Sequence, residues 1–325
     1  MHHIKKIAVT GGAGQIAYSI LFRLAAGDLF GPKQPISLHI LEVEEMLEAL
    51  KGVVMELQDC AFSLLHEIKI GSNPYELFES VDYAFLIGAK PRSKGMERKD
   101  LLLENGTIFI EQGKALNKVA SKEVTVLVVG NPCNSNCLIA RRHATRINPN
   151  RFFAMTRLDQ NRAAAQLAEK ASRPVASVSR MIIWGNHSST QVPDYWNARI
   201  DGKEVSALIH DTAWLQDHFI KKVQERGAEV IAARGKSSAA SAAHAAIETM
   251  RSLITPTPEG ELYSVGLFSD GNPYGIEEGL IFTFPCRTLA SGELEIVAGI
   301  EWPPLLQKKI ALSEKELIEE RQQLG

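Results

Sequence analysis

The chain has 325 residues, 45% of them hydrophobic and 23% charged, with a formal net charge of −2. Those proportions are those of a soluble globular protein, and the length exceeds one typical core, so two domains are expected. A charge so close to zero excludes a global field that recruits nucleic acid or a membrane surface, and any anionic ligand must be held by local arginines.

No apolar run approaches the ~18 residues of a membrane span. The opening Met-His-His-Ile-Lys-Lys runs straight into strand-like sequence, which leaves no room for a signal peptide and points to a cytoplasmic chain. The cysteines are Cys60, Cys133, Cys137 and Cys286, and no pair has Cys-x-x-Cys spacing. Cys133 and Cys137 would fall about one turn apart if that segment were helical, and reduced, buried thiols are expected. His39, His66, His143, His210, His218 and His244 show no metal-like clustering, so no metal centre is expected.

In chain order, residues 4–10 read as a buried strand, and 15–26 have helical spacing that stops at Gly27. A strand at 36–41 and an amphipathic helix at 44–60 follow, then strands at 67–70 and 82–87. Residues 99–120 form a long helical stretch, and 124–130 an unbroken apolar strand. Apolar strands joined by helices predict an α/β domain, a Rossmann-like doubly wound parallel sheet, over residues 1–154. The second half changes character. Residues 159–171, 211–233 and the Ala-rich 238–251 look helical, and strands at 262–269, 279–284 and 293–297 alternate with turns such as Asp270-Gly-Asn-Pro. Residues 155–325 are therefore expected to form an α+β catalytic or substrate domain. A terminal helix is expected to start at Ser313, which with Glu316 reads as a Ser-x-x-Glu capping box.

The first strand leads into Gly11-Gly-Ala-Gly-Gln-Ile-Ala17. Small residues at such spacing permit a tight turn, close approach of backbone to a pyrophosphate, and close packing of helix on strand. Gly11-x-x-Gly14-x-x-Ala17 and Gly12-x-Gly14-x-x-Ala17 both fit, so the register stays open. Glu42 ends the second strand, where a carboxylate accepts hydrogen bonds from adenosine ribose hydroxyls and repels the extra phosphate of NADP. The alternative is a surface glutamate opening the next helix. Gly130-Asn131-Pro132 follows the fifth strand, at the carboxyl end where such sheets bind ligands, although turn chemistry alone also explains it.

His187 lies in Trp184-Gly-Asn-His-Ser-Ser-Thr-Gln191, downstream of Arg157-Leu-Asp-Gln-Asn-Arg162. Hydride transfer from a carbinol carbon also requires removal of the hydroxyl proton, a task that suits histidine. Asp159 can orient the imidazole, and Arg162, three residues on, shares its helix face. Helix capping by Asp159 and a surface ion pair to Arg162 are the competing readings. Residues 88–100 form a polar loop carrying Arg92, Lys94, Arg98 and Lys99. Guanidinium groups there suit a dicarboxylate, because the planar fork binds a carboxylate bidentately; a solvated basic loop is the alternative. Together these residues predict a nicotinamide cofactor and a small carboxylate substrate meeting across the two halves of the chain.

Gly11–Tyr18, Met55-Glu-Leu-Gln-Asp-Cys60, Gly95-Met-Glu-Arg-Lys-Asp-Leu-Leu102, Val128-Val-Gly-Asn-Pro132, Thr156–Arg162 and Trp184–Gln191 resemble the malate dehydrogenases of the lactate/malate dehydrogenase superfamily. The likeness is to the branch with cytosolic eukaryotic and many bacterial enzymes, over about residues 4 to 320. It implies reversible oxidation of malate to oxaloacetate with NAD, as in the tricarboxylic acid cycle, by a homodimer whose contacts run partly through residues 53–60 and 159–171. It implies His187 as proton acceptor, Asp159 as its partner, and Arg162 on the carboxylate beside the reacting carbon. Arg92 then binds the distal carboxylate, Arg98 helps polarise the carbonyl, and Ser241 lines the substrate site. Asn131 contacts substrate and nicotinamide. Gly11, Gly12, Ala13, Gly14, Gln15, Ile16, Ala17, Glu42, Asn105, Gln112, Val129 and Gly130 contact the cofactor. The family usually has aspartate where this chain has Glu42, and Lys90, Ser93 and Lys94 differ from the commoner lid residues. A dehydrogenase of lactate or another 2-hydroxy acid, and a catalytically silent dinucleotide-binding protein, are the alternatives. The intact set of Asp159, Arg162 and His187 speaks against the last.

Overall fold

The computed structural model describes residues 3–90 and 98–324, and the side chains of 98–101 and 103 are also outside the description. The chain divides into two units. The first takes the chain up to Ala154 together with Ala239–Ile247; the second takes Met155–Ser238 and Glu248–Gln322.

The first unit runs β1 (Lys5–Thr10), α1 (Gln15–Ala25), β2 (Ile36–Leu41), α2 (Leu47–Asp59), β3 (Leu65–Gly71), α3 (Pro74–Leu77), β4 (Tyr83–Leu86), α4 (Arg98–Val119), β5 (Thr125–Val128), α5 (Cys133–Arg142) and β6 (Phe152–Ala154). Its strands lie in the order β3-β2-β1-β4-β5-β6, and every neighbouring pair is parallel. This is the doubly wound Rossmann-like sheet the apolar strands imply. All six residues of β2 and all four of β5 are buried, as a sheet covered on both faces requires. The strand order reverses between β1 and β4, so the glycine loop after β1 stands at the switch point. Helix α5 is not expected from the sequence. Its residues 133 to 140 are buried without interruption, polar Asn134, Ser135 and Asn136 among them, so polarity does not mark an exposed face. Cys133 and Cys137 both lie on it as buried thiols outside any disulfide, whereas Cys60 is exposed.

The second unit contains α6 (Arg157–Lys170), β7 (Val178–Ser179), β8 (Ile182–Trp184), β9 (Val192–Asp194), β10 (Arg199–Ile200), β11 (Lys203–Glu204) and α7 (Val205–Leu208). A π-helical turn, Trp214–Phe219, then leads into α8 (Ile220–Arg234). The later half of α9 (Ala240–Ile254), β12 (Tyr263–Phe268), β13 (Ile281–Thr288), β14 (Leu294–Ile296) and α10 (Pro304–Gln323) complete it. Strand pairs β12–β13, β13–β14, β8–β9, β7–β10 and β10–β11 are all antiparallel, the α+β arrangement expected of this half. One core cluster packs Ala163 and Leu167 of α6 against Ile183 of β8, Phe219 and Val223. The helix carrying Asp159 and the strand leading to His187 thus share one apolar bed.

The terminal helix begins at Pro304, not at Ser313. Proline is favoured at the first helical position because its missing N–H has no intrahelical partner to lose, and the Pro303 carbonyl accepts the Gln307 N–H at 3.0 Å. Ser313 is fully buried in mid-helix, so it caps nothing. Among the described residues, no helix is long and apolar enough to cross a membrane.

Candidate active site

The loop from β1 to α1 uses both glycine registers. Gly11 has φ +71°, and a Cβ there would stand 2.8 Å from the Gly88 Cα, so this position requires glycine twice over. At Gly12 a Cβ would stand 2.2 Å from Cγ2 of Ile40, because the loop lies flat on β2. Gly14 is the N-cap of α1 and offers no side-chain cap. A Cβ there would meet only the Gly11 carbonyl oxygen, at 3.1 Å. The first N–H groups of α1, from Gln15 to Ala17, therefore open toward an anion. Ala17 itself is fully buried under the helix, and Ile16 is half-buried.

Glu42 is fixed beside this loop. Its Oε2 accepts the Ala13 N–H at 2.9 Å and its Oε1 accepts the Val43 N–H at 2.9 Å. A carboxylate has about four acceptor positions, so two remain for ligand hydroxyls. An uncapped helix end, open space at Gly14 and an anchored carboxylate after β2 fit the pyrophosphate and ribose of a dinucleotide.

At the end of β5, Val129 is buried, and the Gly130 N–H donates to Leu86 O at 3.1 Å. A Cβ at Gly130 would stand 2.9 Å from Ala89 Cβ and 3.0 Å from Ile87 O. Asn131 is exposed. Asn105, buried on α4, spends its amide on backbone. Its Oδ1 accepts the Lys90 N–H at 2.8 Å, and its Nδ2 donates to Lys90 O at 3.2 Å and Asn131 O at 3.3 Å. Asn105 thus fastens Lys90 to the β5 turn. Gln112, two turns further along the same face of α4, is buried with an Oε1 that has no hydrogen-bond partner among the described residues. Ser241 is exposed in the first turn of α9. Lys90 Nζ lies 3.4 Å from Glu104 in an exposed pair. Arg92, Ser93 and Lys94 lie outside the described residues, as does the side chain of Arg98, which opens α4.

In the second unit, Asp159, Arg162 and His187 come together. Asp159 stands in the first turn of α6 and is 0% exposed. Its Oδ2 accepts a hydrogen bond from Nδ1 of His187, and its Oδ1 lies 3.2 Å from Nη1 of Arg162. The Gln191 amide also donates to it. Burial alone would push the Asp159 carboxyl up. The opposing charge and hydrogen bond of His187, helped by Arg162 and Gln191, outweigh that and hold it below its ordinary value. Asp159 is therefore a carboxylate committed to the His187 imidazole and the Arg162 guanidinium and does not act as a helix cap. Arg162 Nη2 donates to Ser238 Oγ at 3.1 Å, which fixes the guanidinium plane. The side chains of His187 and Arg162 are 16% and 13% exposed, so each presents only a small working edge.

His187 sits in the loop from β8 to β9, opened by Gly185 at φ +91°. Two sets of contacts that the sequence does not announce hold this region. Ser264 of β12 ties α6 to β8. Its N–H donates to Gln160 Oε1 at 2.9 Å, its carbonyl accepts Thr156 Oγ1 at 3.3 Å, and its Oγ accepts the Ile183 N–H at 2.9 Å. From α10, Ser313 Oγ accepts the Asn186 N–H at 2.8 Å, and Glu316 receives the Asn186, Ser188 and Thr190 side chains. The Ser-x-x-Glu spacing is legible as a motif, but its partners are more than a hundred residues away in sequence.

Residues 5–154 match the family described as the lactate/malate dehydrogenase NAD binding domain, and residues 156–324 match its alpha/beta C-terminal domain. A malate dehydrogenase of Protochlamydia amoebophila is 59% identical over 320 residues, covering 98% of this chain and 97% of that one. A chloroplastic NADP malate dehydrogenase of Flaveria bidentis is 52% identical, covering 98% of this chain and 70% of that one. The structure of Trichomonas vaginalis lactate dehydrogenase in complex with NADH and oxamate superposes with a TM-score of 0.94 at 37% identity, covering 98% of this chain and 97% of that one. With both halves matched and relatives this similar along nearly its whole length, the chain belongs to the lactate/malate dehydrogenase family.

Proposed function

We propose that the protein catalyses the reversible, NAD-dependent oxidation of (S)-malate to oxaloacetate. The observation that carries this reading is the buried Arg162–Asp159–His187 chain, in which one carboxylate orients an imidazole and a guanidinium side by side. With Nδ1 committed to Asp159, Nε2 is the nitrogen that exchanges a proton with substrate. Neutral His187 takes the proton of the malate hydroxyl, and Asp159 stabilises the imidazolium that forms. In the reverse direction the imidazolium returns that proton to the carbonyl oxygen of oxaloacetate. Arg162 binds the carboxylate next to the reacting carbon through its forked N–H groups. Bound NAD supplies the hydride acceptor.

The choice of a dicarboxylate rests on Arg92 and on the likeness to the malate dehydrogenase of Protochlamydia amoebophila. A guanidinium aimed at the distal carboxylate is left unpaired by the methyl group of pyruvate, which makes pyruvate a poor substrate. The choice of NAD over NADP rests on Glu42, held beside the glycine loop by the Ala13 and Val43 N–H groups. The homodimer rests on family likeness and on α2, which leaves Met55 60% exposed on its outer face.

A spectrophotometric assay with two keto acids and two cofactors tests substrate and cofactor together. Oxaloacetate with NADH is the fast pair. Faster turnover of pyruvate would convert the assignment to a lactate-type enzyme, and equal rates with NADPH at matched low concentration would remove the role given to Glu42. Arg92→Gln should lose far more activity on oxaloacetate than on pyruvate; a parallel fall in both would show that Arg92 does not read the distal carboxylate.

A further inference from the structure

We propose that Ser313, Glu316 and Glu320 of α10 are positioning residues for the reaction, holding His187 in register with Asp159; this rests on the reading that His187 moves the proton. The loop around His187 is pinned on both sides from one helix. Before the histidine, the Asn186 N–H donates to Ser313 Oγ at 2.8 Å, and Asn186 Nδ2 donates to Glu316 Oε2 at 2.9 Å and Glu320 Oε1 at 3.1 Å. The Asn186 Oδ1 has no hydrogen-bond partner among the described residues, so the donors set the amide. After the histidine, Ser188 Oγ and Thr190 Oγ1 donate to the same Glu316 Oε2, the latter at 2.6 Å, and Thr190 Oγ1 lies 2.9 Å from Ser313 Oγ. One carboxylate oxygen thus gathers donors from residues 186, 188 and 190, with the catalytic imidazole between them.

The cost of this arrangement argues for a purpose beyond docking a helix. Ser313 is 0% and Glu320 5% exposed, and a buried carboxylate holds a helix in place less cheaply than apolar packing does. What charge-assisted hydrogen bonds add is direction, and a relay needs its groups held within about 0.5 Å. The fit at Gly185 points the same way. A Cβ there would stand 2.1 Å from Ser313 Oγ, so serine and glycine at these two positions are matched to each other. The opposite partner of the pair, α6, is separately tied to β8 through Ser264. Asp159 and His187 are therefore each held from outside, and α10 supplies the hold on His187.

The test is a double-mutant cycle in the full chain, with Glu316→Gln made alone and in the His187→Asn background. Turnover of oxaloacetate, KM and the NADH dissociation constant by fluorescence are measured for each. Alone, Glu316→Gln should lower kcat about 10- to 100-fold, since a misplacement near 1 Å costs on that order. KM should stay within about threefold and NADH binding within about twofold. In the His187→Asn background the same substitution should change turnover less than about threefold, because no relay remains to be positioned. The downfield proton resonance of the His187–Asp159 hydrogen bond should weaken or vanish in Glu316→Gln. Unchanged kcat, or an equal fall in both backgrounds, overturns the positioning role. Near-normal turnover of His187→Asn itself overturns the underlying assignment instead. Should Glu316→Gln fail to bind NADH, Ser313→Ala and Thr190→Val, which remove single hydroxyls of the same network, replace it in the cycle, and the same outcomes support or overturn the role.

Discussion

The cradle proposed for the nucleotide and the relay proposed for the proton are built in opposite ways. The cradle is made of backbone: a positive-φ glycine, an uncapped helix end, and one carboxylate held by two N–H groups. Apart from Glu42, which lies 29 residues beyond Ala13, its parts share one turn, and the room it offers comes from missing side chains. The relay is made of side chains. Asp159 and His187 lie 28 residues apart, and the contacts that aim His187 reach across as many as 134. A backbone site is fixed as soon as the local fold forms. A side-chain site is only as accurate as the packing around it, and this one is braced from both α6 and α10. The two regions should accordingly fail differently: damage to the cradle should appear in cofactor affinity and stability, damage to the relay in turnover.

The largest effect that separates them is His187→Asn. Turnover should fall about 10²–10⁴-fold, the usual worth of acid–base help, while NADH binding by fluorescence stays within about twofold. A parallel loss of NADH affinity would show that the two regions are not independent. Next is Arg162→Gln. It removes the group proposed to hold the substrate's carboxylate and the guanidinium beside buried Asp159. Truncating one side of a buried charge pair costs roughly 2–5 kcal/mol, about 30-fold or more in kcat/KM. The same variant has a pH signature. Against burial, which pushes Asp159 up, His187 and Arg162 hold its folded-state pKa below the ordinary value. Stability from such a depressed group is fully present above the unfolded value of about 3.9 and is lost as pH falls through the lower folded value. With Arg162 gone the folded value rises, so the acid-unfolding midpoint should move to higher pH. A midpoint unchanged or lowered would mean that Arg162 contributes little to the charge on Asp159.

The same contrast explains what can be read from sequence. The Gly11–Ala17 turn is legible because phosphate-loop chemistry is a matter of spacing, and the buried strands β2 and β5 announce a sheet covered on both faces. The register within the loop is not legible, since Gly11 and Gly12 are both required, one by φ and one by contact with Ile40. Spacing places Asp159 and Arg162 on one helix face, but nothing local ties them to His187; family likeness does that. Helix α5 escapes because it is buried all round. The Ser313-x-x-Glu316 pattern reads as a helix start and is not one. Its i, i+3 geometry is common to a capping box and to one face of a helix interior, and only burial, a tertiary property, tells them apart.

A smaller effect belongs to the cradle. Gly11→Ala forces an L-residue to φ +71° with its methyl 2.8 Å from the Gly88 Cα, and neither backbone can yield without moving β1 or β4. Strain of about 1–3 kcal/mol is expected, read as a lower Tm and weaker NADH binding, with kcat at saturating NADH within about threefold. A fall in saturated kcat with normal NADH affinity would break the division between affinity and turnover.

The smallest effect sharpens the cradle's cofactor choice. Glu42→Gln removes one negative charge and keeps an oxygen for the Ala13 N–H, at the expense of the oxygen that accepts the Val43 N–H. A ribose phosphate carries nearly two charges at neutral pH, and each unit pair near 4 Å in water is worth about 1 kcal/mol. The NADH-over-NADPH preference in kcat/KM should therefore shrink by roughly 5- to 30-fold, mostly through better use of NADPH. An unchanged ratio would move the discrimination away from Glu42 to other groups around the ribose. A change carried only by loss of NADH binding would instead mean that Glu42 acts by accepting ribose hydrogen bonds and not by repelling phosphate.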